Sequence, residues 1–348
     1  MIKIIRLALE EDIGAGDVTS RACVPEGLRA RGTLIAREPL VLAGTEVLDQ
    51  MFDHVVLLKH DGDRCAAGEL LATVEGNART LLERERVALN FLQRLSGVAT
   101  LARQYADAVI GTNCRVLDTR KTTPGLRALE KRAAAAGGVT NHRMGLYDAV
   151  LIKNNHIAAA GGVRQALLNA GQSPDHPSVP HTTPPTPPPP SPPDLPSHSP
   201  SSQAASPTLP PSSPPDPNVG RTPWSARDPL VPPSPQPNQP HANPEWPTGA
   251  QAANHLIRPT IEIEVRTLAE LHEALDAGAQ HLLLDNLAPA EAADWVREIA
   301  GRAQVELSGG ITLDNVRAYA ETGADFVSAG AITHSARAVD IGFRLELL

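Results

Sequence analysis

Apolar residues at Leu81, Val87, Phe91, Leu92, Leu95, Val98 and Leu101, most of them three or four residues apart, fall on one side of a long helix. Before this helix the pattern is mixed. Residues 2–11 read as a short helix, and residues 31–37, 54–60 and 70–75 read as strands, with the DGDRCAAGE turn joining the last two. From Arg115 onward the rhythm changes. Short apolar runs at 116–117, 149–152, 261–265, 281–284, 305–307 and 326–327 alternate with helical stretches, one of them at 161–170. Such alternation predicts parallel strands joined by helical crossovers. The runs hand off into DTRK, KNNH, EIEV, LDN, SGG and AGAIT, so polar, charged and glycine-rich residues collect at strand carboxyl ends. In a β/α barrel those ends meet on one face, where chemistry is placed. An open doubly wound sheet also binds ligands at strand ends. Its G-x-G-x-x-G fingerprint after the first strand is missing, as is the phosphate loop G-x-x-x-x-G-K-[ST], which favours the barrel.

Composition breaks the pattern once. Of 33 prolines, 29 lie between Pro174 and Pro259, among serine, threonine, asparagine and histidine. Proline removes backbone donors, and the segment has little to bury, so residues 172–258 are predicted to be a disordered surface insertion. Closing so long a loop costs only slightly more than closing a short one. A ligand for proline-reading modules is the alternative, but no repeated recognition unit stands out.

The formal net charge of −8 disfavours nucleic acid and anionic membrane as partners. Against that background residues 115–153 hold eight Lys/Arg and three acids, a local excess of five positive charges that suits a small anionic ligand. Cys23, Cys65 and Cys114 are isolated, without metal-type spacing, and read as thiols of a reducing compartment. The amino terminus turns acidic too early for a signal peptide, and no apolar run approaches the roughly 20 residues of a membrane span. A soluble cytoplasmic protein is expected.

If the strand ends converge, Arg120, Lys121, Lys153, Glu264 and Asp285 share one face, with His142 and Arg143 supplied by the NHR segment. Arginine forks bind carboxylates bidentately, whereas lysine acts as a point charge. Two carboxylates beside an anionic substrate call for a divalent cation, and Mg²⁺ held by one or two carboxylates plus substrate phosphate fits. The turns Ser308-Gly309-Gly310 and Ala329-Gly330-Ala331 offer bare backbone N–H groups to phosphate. Each feature has a plainer explanation taken alone. An Arg-Lys turn is often solvated, Glu264 alternates with apolar neighbours as on the wet face of an edge strand, Asp285-Asn286 suits a helix cap, and a lone histidine is usually structural. Glu83, Arg84, Glu85 and Arg86 read first as a salt-bridged helix surface.

The run LDTRKTTPGLRALEKRAAAAGGVTNHRMGLYDAVLIKNNH strongly resembles the quinolinate phosphoribosyltransferase family, the carboxylating nicotinate-nucleotide pyrophosphorylases. EEDIGAGDVTS, ERVALNFLQRLSGVATLAR, IEIEVRT, LLLDN, LSGGIT and SAGAITHSARAVDIG follow in family order, leaving only about 172–258 outside the likeness. The resemblance implies an α/β fold: an amino-terminal α/β sandwich domain over residues 1–98 and an incomplete α/β barrel over 99–348, with the carboxyl tail packing back on the first domain. It implies transfer of phosphoribosyl from phosphoribosyl pyrophosphate to quinolinate with loss of CO₂, Mg²⁺ as cofactor, and a homodimer at least. The pyridine dicarboxylate would be held by Arg120, His142, Arg143 and Lys153, with Arg86 reaching in from a second subunit. Thr119, Lys121, Glu264, Asp285, Ser308, Gly309, Gly310, Ala329, Gly330, Ala331 and His334 would line the phosphoribosyl side. Glu264 and Asp285 would lie by the metal, and Lys121, Lys153, Glu264 and Asp285 would carry the chemistry. The competing expectations are a paralogue of molybdate-transport type acting on another acceptor, and a non-catalytic binder of anionic metabolites.

Overall fold

Period-two and period-3.6 patterns sort the chain into two sheets of opposite kind. The computed structural model describes residues 3–172 and 261–348; the predicted proline-rich insertion lies outside the described residues. In chain order the elements are α1 (Lys3–Ile13), α2 (Val18–Cys23), β1 (Arg29–Ala36), β2 (Leu40–Val41), α3 (Glu46–Met51), β3 (His54–Leu57), β4 (Arg64–Cys65), β5 (Leu70–Asn77) and α4 (Ala78–Ala108). Then follow β6 (Arg115–Leu117), α5 (Arg127–Ala136), β7 (Val150–Ile152), α6 (Asn154–Ala160) and α7 (Val163–Gln172). Beyond residue 260 come β8 (Ile261–Val265), α8 (Leu268–Asp276), β9 (His281–Asp285), α9 (Pro289–Ile299), β10 (Gln304–Ser308), α10 (Val316–Ala320), β11 (Phe326–Ser328), α11 (Ala331–His334) and β12 (Ile341–Leu347).

The antiparallel sheet runs β12-β1-β5-β3, and the parallel sheet runs β6-β11-β10-β9-β8-β7. Along β1, Ala30, Leu34 and Ala36 point into the core while Arg29 and Arg31 face out, the alternation of a sheet wetted on one side. The parallel strands bury longer apolar runs, such as Leu282, Leu283 and Leu284, because helices cover them. Among the described residues the parallel ladder stays open between β6 and β7, and on the free edge of β6 only an isolated bridge from Leu117 to Thr140 adds to it.

Helix α4 starts where Asn77 accepts hydrogen bonds from the N–H groups of Arg79 (3.0 Å) and Thr80 (3.4 Å). Its 31 residues span roughly 46 Å and pack against α1, α3, β2, β5, α5 and β12. Gly97 permits the closest approach. A Cβ there would stand 1.9 Å from the Arg337 carbonyl oxygen, so α4 can lie against the segment leading into β12 only without a side chain. Strand β12 then pairs with β1 over seven residues, from Ala36–Ile341 to Ala30–Leu347.

Some local expectations are corrected. The helix expected over 161–170 is α7, which starts two residues later, because Gly161 (φ 90°) and Gly162 (φ 140°) take left-handed conformations that end α6 and separate the two helices. The DGDRCAAGE turn contains β4, which pairs with β2. None of Glu83, Arg84, Glu85 and Arg86 forms an ion pair among the described residues; Arg84 donates to the Met51 carbonyl instead (2.5 Å).

Glu38 fastens the return of the chain. It accepts from Arg337 Nη1 (2.8 Å) and Nη2 (2.6 Å) and from the Asp340 N–H (2.8 Å). The Arg337 hydrogen bonds, then that of Asp340, pull its carboxyl down from 4.5 to about 2. A depressed carboxyl contributes stability above its unfolded value that is lost as pH falls through the folded one. Thermal melting of Glu38→Gln should therefore give a lower midpoint than wild type at pH 6, with the gap closing between pH 4.5 and 2. A gap of equal size at both ends would show that charge is not its source.

Candidate active site

The register of the parallel sheet sets out the site row by row. Glu264 on β8, Leu283 on β9 and Glu306 on β10 stand side by side, and Asp285 stands beside Ser308 in the next row. Paired residues of parallel strands share a face, so all five project to the same side. They line a cavity of about 560 Å³ together with Thr119, Arg120, Lys121, His142, Arg143, Lys153, Gly309 and Gly310. Eleven sequence-predicted residues thus meet in one space. Glu264 is 4% exposed on an interior strand, which corrects the reading of it as the wet face of an edge.

The cations crowd one another. Arg143 is 9% exposed and donates to the Ala149 carbonyl (3.0 Å). Burial, then the charge of Arg120, pulls its guanidinium below the ordinary range. The Nε of Arg120 is buried without a hydrogen-bond partner among the described residues. A buried donor left unpaired is costly and rare. Lys121 is presented by a turn in which its N–H donates to Thr119 Oγ1 (3.0 Å) and its carbonyl accepts from Thr333 Oγ1 (2.7 Å).

Glu264 is already engaged. Its Oε1 accepts from Asn154 Nδ2 (2.9 Å) and from Arg266 Nε (3.2 Å) and Nη2 (3.0 Å), and Lys153 Nζ lies 3.8 Å from Oε2. Asp285 accepts from Asn286 Nδ2 at Oδ2 (2.7 Å). Glu264 Oε2 and Asp285 Oδ1 accept no hydrogen bond among the described residues, so two carboxylate oxygens in one cavity remain for a hard cation. That donor set fits Mg²⁺, which takes one or two carboxylates and completes its shell with phosphate and water.

His142 does not present a free ring nitrogen. Its Nδ1 accepts from the Arg143 N–H (2.8 Å), and its Nε2 faces Glu262 (3.2 Å) and Glu306 (3.4 Å). Burial alone would lower the imidazole, but the hydrogen bonds of Glu262 and Glu306 outweigh it and push the group up to about 10. Burial and the neighbouring Glu306 push the Glu262 carboxyl up as well. With Nδ1 accepting, the ring proton of His142 sits on Nε2, between the two carboxylates.

Other predicted residues fall outside the lining. Gly330 lies just behind it, where an added Cβ would stand 2.9 Å from Lys121 Cδ and 3.1 Å from the His334 ring. Ala329 is buried, while Ala331 and His334 belong to α11. Arg86 is exposed on α4, lines no part of the cavity and makes no hydrogen bond or ion pair among the described residues. Sequence reasoning passed over Asn154, Asn155, Arg266, Glu262 and Glu306. The two-residue period from Glu264 back to Glu262 placed both on one face and was a usable signal; nothing in the sequence shows Arg266 turning back onto Glu264.

The model of the quinolinate phosphoribosyl transferase C-terminal domain matches residues 98–179 and 246–344, and that of the N-terminal domain matches residues 17–96. A probable carboxylating nicotinate-nucleotide pyrophosphorylase of Bacillus subtilis is 31% identical over 99% of this chain and 93% of its own length. A carboxylating nicotinate-nucleotide pyrophosphorylase of Mycobacterium leprae is 34% identical over 98% and 95%. The solved nicotinate-nucleotide pyrophosphorylase of Francisella tularensis superposes with a TM-score of 0.71 at 27% identity, covering 99% of this chain and 95% of that one.

Proposed function

The chain belongs to the quinolinate phosphoribosyltransferase family, and on that premise we propose how its cavity performs the reaction: phosphoribosyl passes from phosphoribosyl pyrophosphate to quinolinate, which loses CO₂ to give nicotinate mononucleotide, a step of NAD synthesis. One observation carries the assignment of the acceptor pole. Arg120 and Arg143 line the same cavity, and the buried Nε of Arg120 has no hydrogen-bond partner among the described residues, so two forks await a planar dianion. Quinolinate offers adjacent carboxylates of that kind. Lys153 adds a third cation to the lining of the same cavity.

Lys121, Thr119 and the N–H groups of Ser308, Gly309 and Gly310 take the phosphoribosyl pole, with the turn around Gly330 and His334 supporting Lys121 from behind. Gly309 (φ 93°) is required in this turn, since a Cβ would stand 2.3 Å from Asn286 Oδ1. Glu264 and Asp285 are the residues that would hold Mg²⁺, which when bound neutralises charge on the departing pyrophosphate.

The ring nitrogen of quinolinate gives its lone pair to the ribosyl carbon as the bond to pyrophosphate oxygen breaks, and Lys121 receives the charge that leaves. Holding both polyanions in line in a cation-lined space contributes several kcal/mol, about 7–11 in the best intramolecular cases. The ribosylated nitrogen is cationic, so the electron pair of the breaking carbon–carboxylate bond flows toward it. CO₂ departs and the ring carbon takes up a proton. No protein nucleophile is needed. His142, with both ring nitrogens engaged, shapes the acceptor pole by holding Arg143 rather than by donating to substrate.

A second copy completes the site in this reading. Arg86 stands exposed without a partner among the described residues, and the segment after Arg143 leaves Leu146 and Tyr147 74% and 83% exposed, apolar surface for a second subunit to cover. A reducing cytosolic setting suits the three free cysteines. Among the described residues no helix is long and apolar enough to cross a membrane.

Purified protein given quinolinate, phosphoribosyl pyrophosphate and Mg²⁺ should release CO₂ and nicotinate mononucleotide in equal amounts. Mononucleotide formed from a different acceptor, without CO₂, would transfer the assignment to a paralogous activity; binding of both substrates without product would leave a metabolite binder.

A further inference from the structure

We propose that the buried Asp118–Lys131 pair is a positioning device that holds the Arg143 guanidinium opposite Arg120 before substrate arrives. The proposal rests on the reading of those two arginines as the quinolinate clamp.

Asp118 directly follows β6, and Lys131 lies on α5; they are 0% and 1% exposed. The Lys131 ammonium donates to Asp118 Oδ1 and to the His142 carbonyl (2.7 Å). Asp118 Oδ1 also accepts from the His142 N–H (2.8 Å), and its Oδ2 accepts from Asn141 Nδ2 (3.0 Å), which donates to the Lys131 carbonyl as well (2.9 Å). Both backbone polar groups of His142 are therefore fixed by one ion pair, a single residue before Arg143 and two residues behind Arg120. Arg127 adds a looser tie, from Nη2 to the Arg120 carbonyl (3.4 Å) and from Nη1 to that of Met144 (3.2 Å).

Stability alone does not account for this pair. Well-packed apolar residues usually serve a buried site as well or better, because desolvation offsets most of the Coulomb gain. Burial indeed pushes the Asp118 carboxyl up and the Lys131 ammonium down. The geometry supplies a different reason. Residues 141–149 form neither helix nor strand, so nothing regular fixes where Arg143 stands. It faces a like charge in Arg120, and an untethered segment would relax away from it. Cations that must be gathered on binding cost affinity, whereas cations already in place do not.

The pair acts on one pole only, which makes it separable from a general structural role. The double variant Asp118→Asn/Lys131→Leu removes both charges together and so leaves no buried ion unpaired. It should melt near the wild-type temperature, raise the KM for quinolinate about tenfold or more, and leave the KM for phosphoribosyl pyrophosphate within about twofold. Asn141→Ala, which removes one arm of the clamp, should shift the same constant in the same direction by less, and is read in the same way if the double variant does not fold. An unchanged quinolinate KM in a folded, active variant overturns the proposal, as does an equal rise in both constants. A wild-type protein inactive toward quinolinate overturns instead the substrate assignment on which the clamp depends, a result distinct from either.

Discussion

Arg143→Ala should remove nearly all turnover while leaving a folded protein. The side chain is buried, its guanidinium shares the cavity with Arg120, and its one hydrogen-bond partner among the described residues is the Ala149 carbonyl. Removing it takes away half of the two-fork cleft proposed for the dicarboxylate. Truncating one partner of a buried, hydrogen-bonded charge pair costs about 2–5 kcal/mol, or roughly one and a half to three and a half orders of magnitude in kcat/KM. Arg143→Lys should recover little, because a point charge cannot reproduce a planar fork on a carboxylate. Lys153→Ala should fall in the same class, since it removes the cation 3.8 Å from Glu264 Oε2 and leaves that carboxylate to repel an incoming anion. Steady-state rates alongside circular dichroism decide the matter. Near-normal kinetics in either folded alanine variant would remove the acceptor pole from this cavity.

The sequence disclosed most of the strands because their apolar runs are continuous or strictly alternating, and eleven of the candidate residues meet in one cavity because β/α topology brings strand ends together without help from side-chain detail. Arg120, Lys153, Glu264 and Asp285 lie far apart in the chain and close in space for that reason alone. What stayed hidden depends on local backbone conformation or on side-chain direction. The break after α6 needs two successive left-handed glycines, and glycine by itself does not declare a positive φ. Arg266 sits one residue past β8, where the pattern reads as solvent, yet its fork turns back onto Glu264. His142 was legible as a residue of the site but not as an engaged one, because its partners Glu262 and Glu306 come from strands 120 and 164 residues further along the chain. Lys131 is one of eight cations between residues 115 and 153, and nothing in the pattern distinguishes it as the one that is 1% exposed beneath the NHR segment.

Mixing two dead variants should restore activity. Arg86 is a predicted substrate contact that lines no part of its own chain's cavity and stands exposed on a helix whose other face packs into the core. If it completes the site of a second copy, then Arg86→Ala and Lys153→Ala each disable every site of their own homodimer. A twofold dimer has reciprocal contacts, so a mixed dimer places both lesions in one site and leaves the other intact. Random reassortment of equal amounts makes half of the dimers mixed, each with one working site of two, and about a quarter of wild-type activity should return. Differently tagged subunits, unfolded together, refolded and sorted by sequential affinity steps, isolate the mixed species, where the recovery should reach about half. If Arg86 instead served its own cavity, each site of the mixed dimer would carry one lesion and the verified hybrid would stay inactive. That outcome would leave the acceptor pole of Arg120, Arg143 and Lys153 in place while removing the second subunit from it, so the cavity within one chain would have to hold the dianion alone.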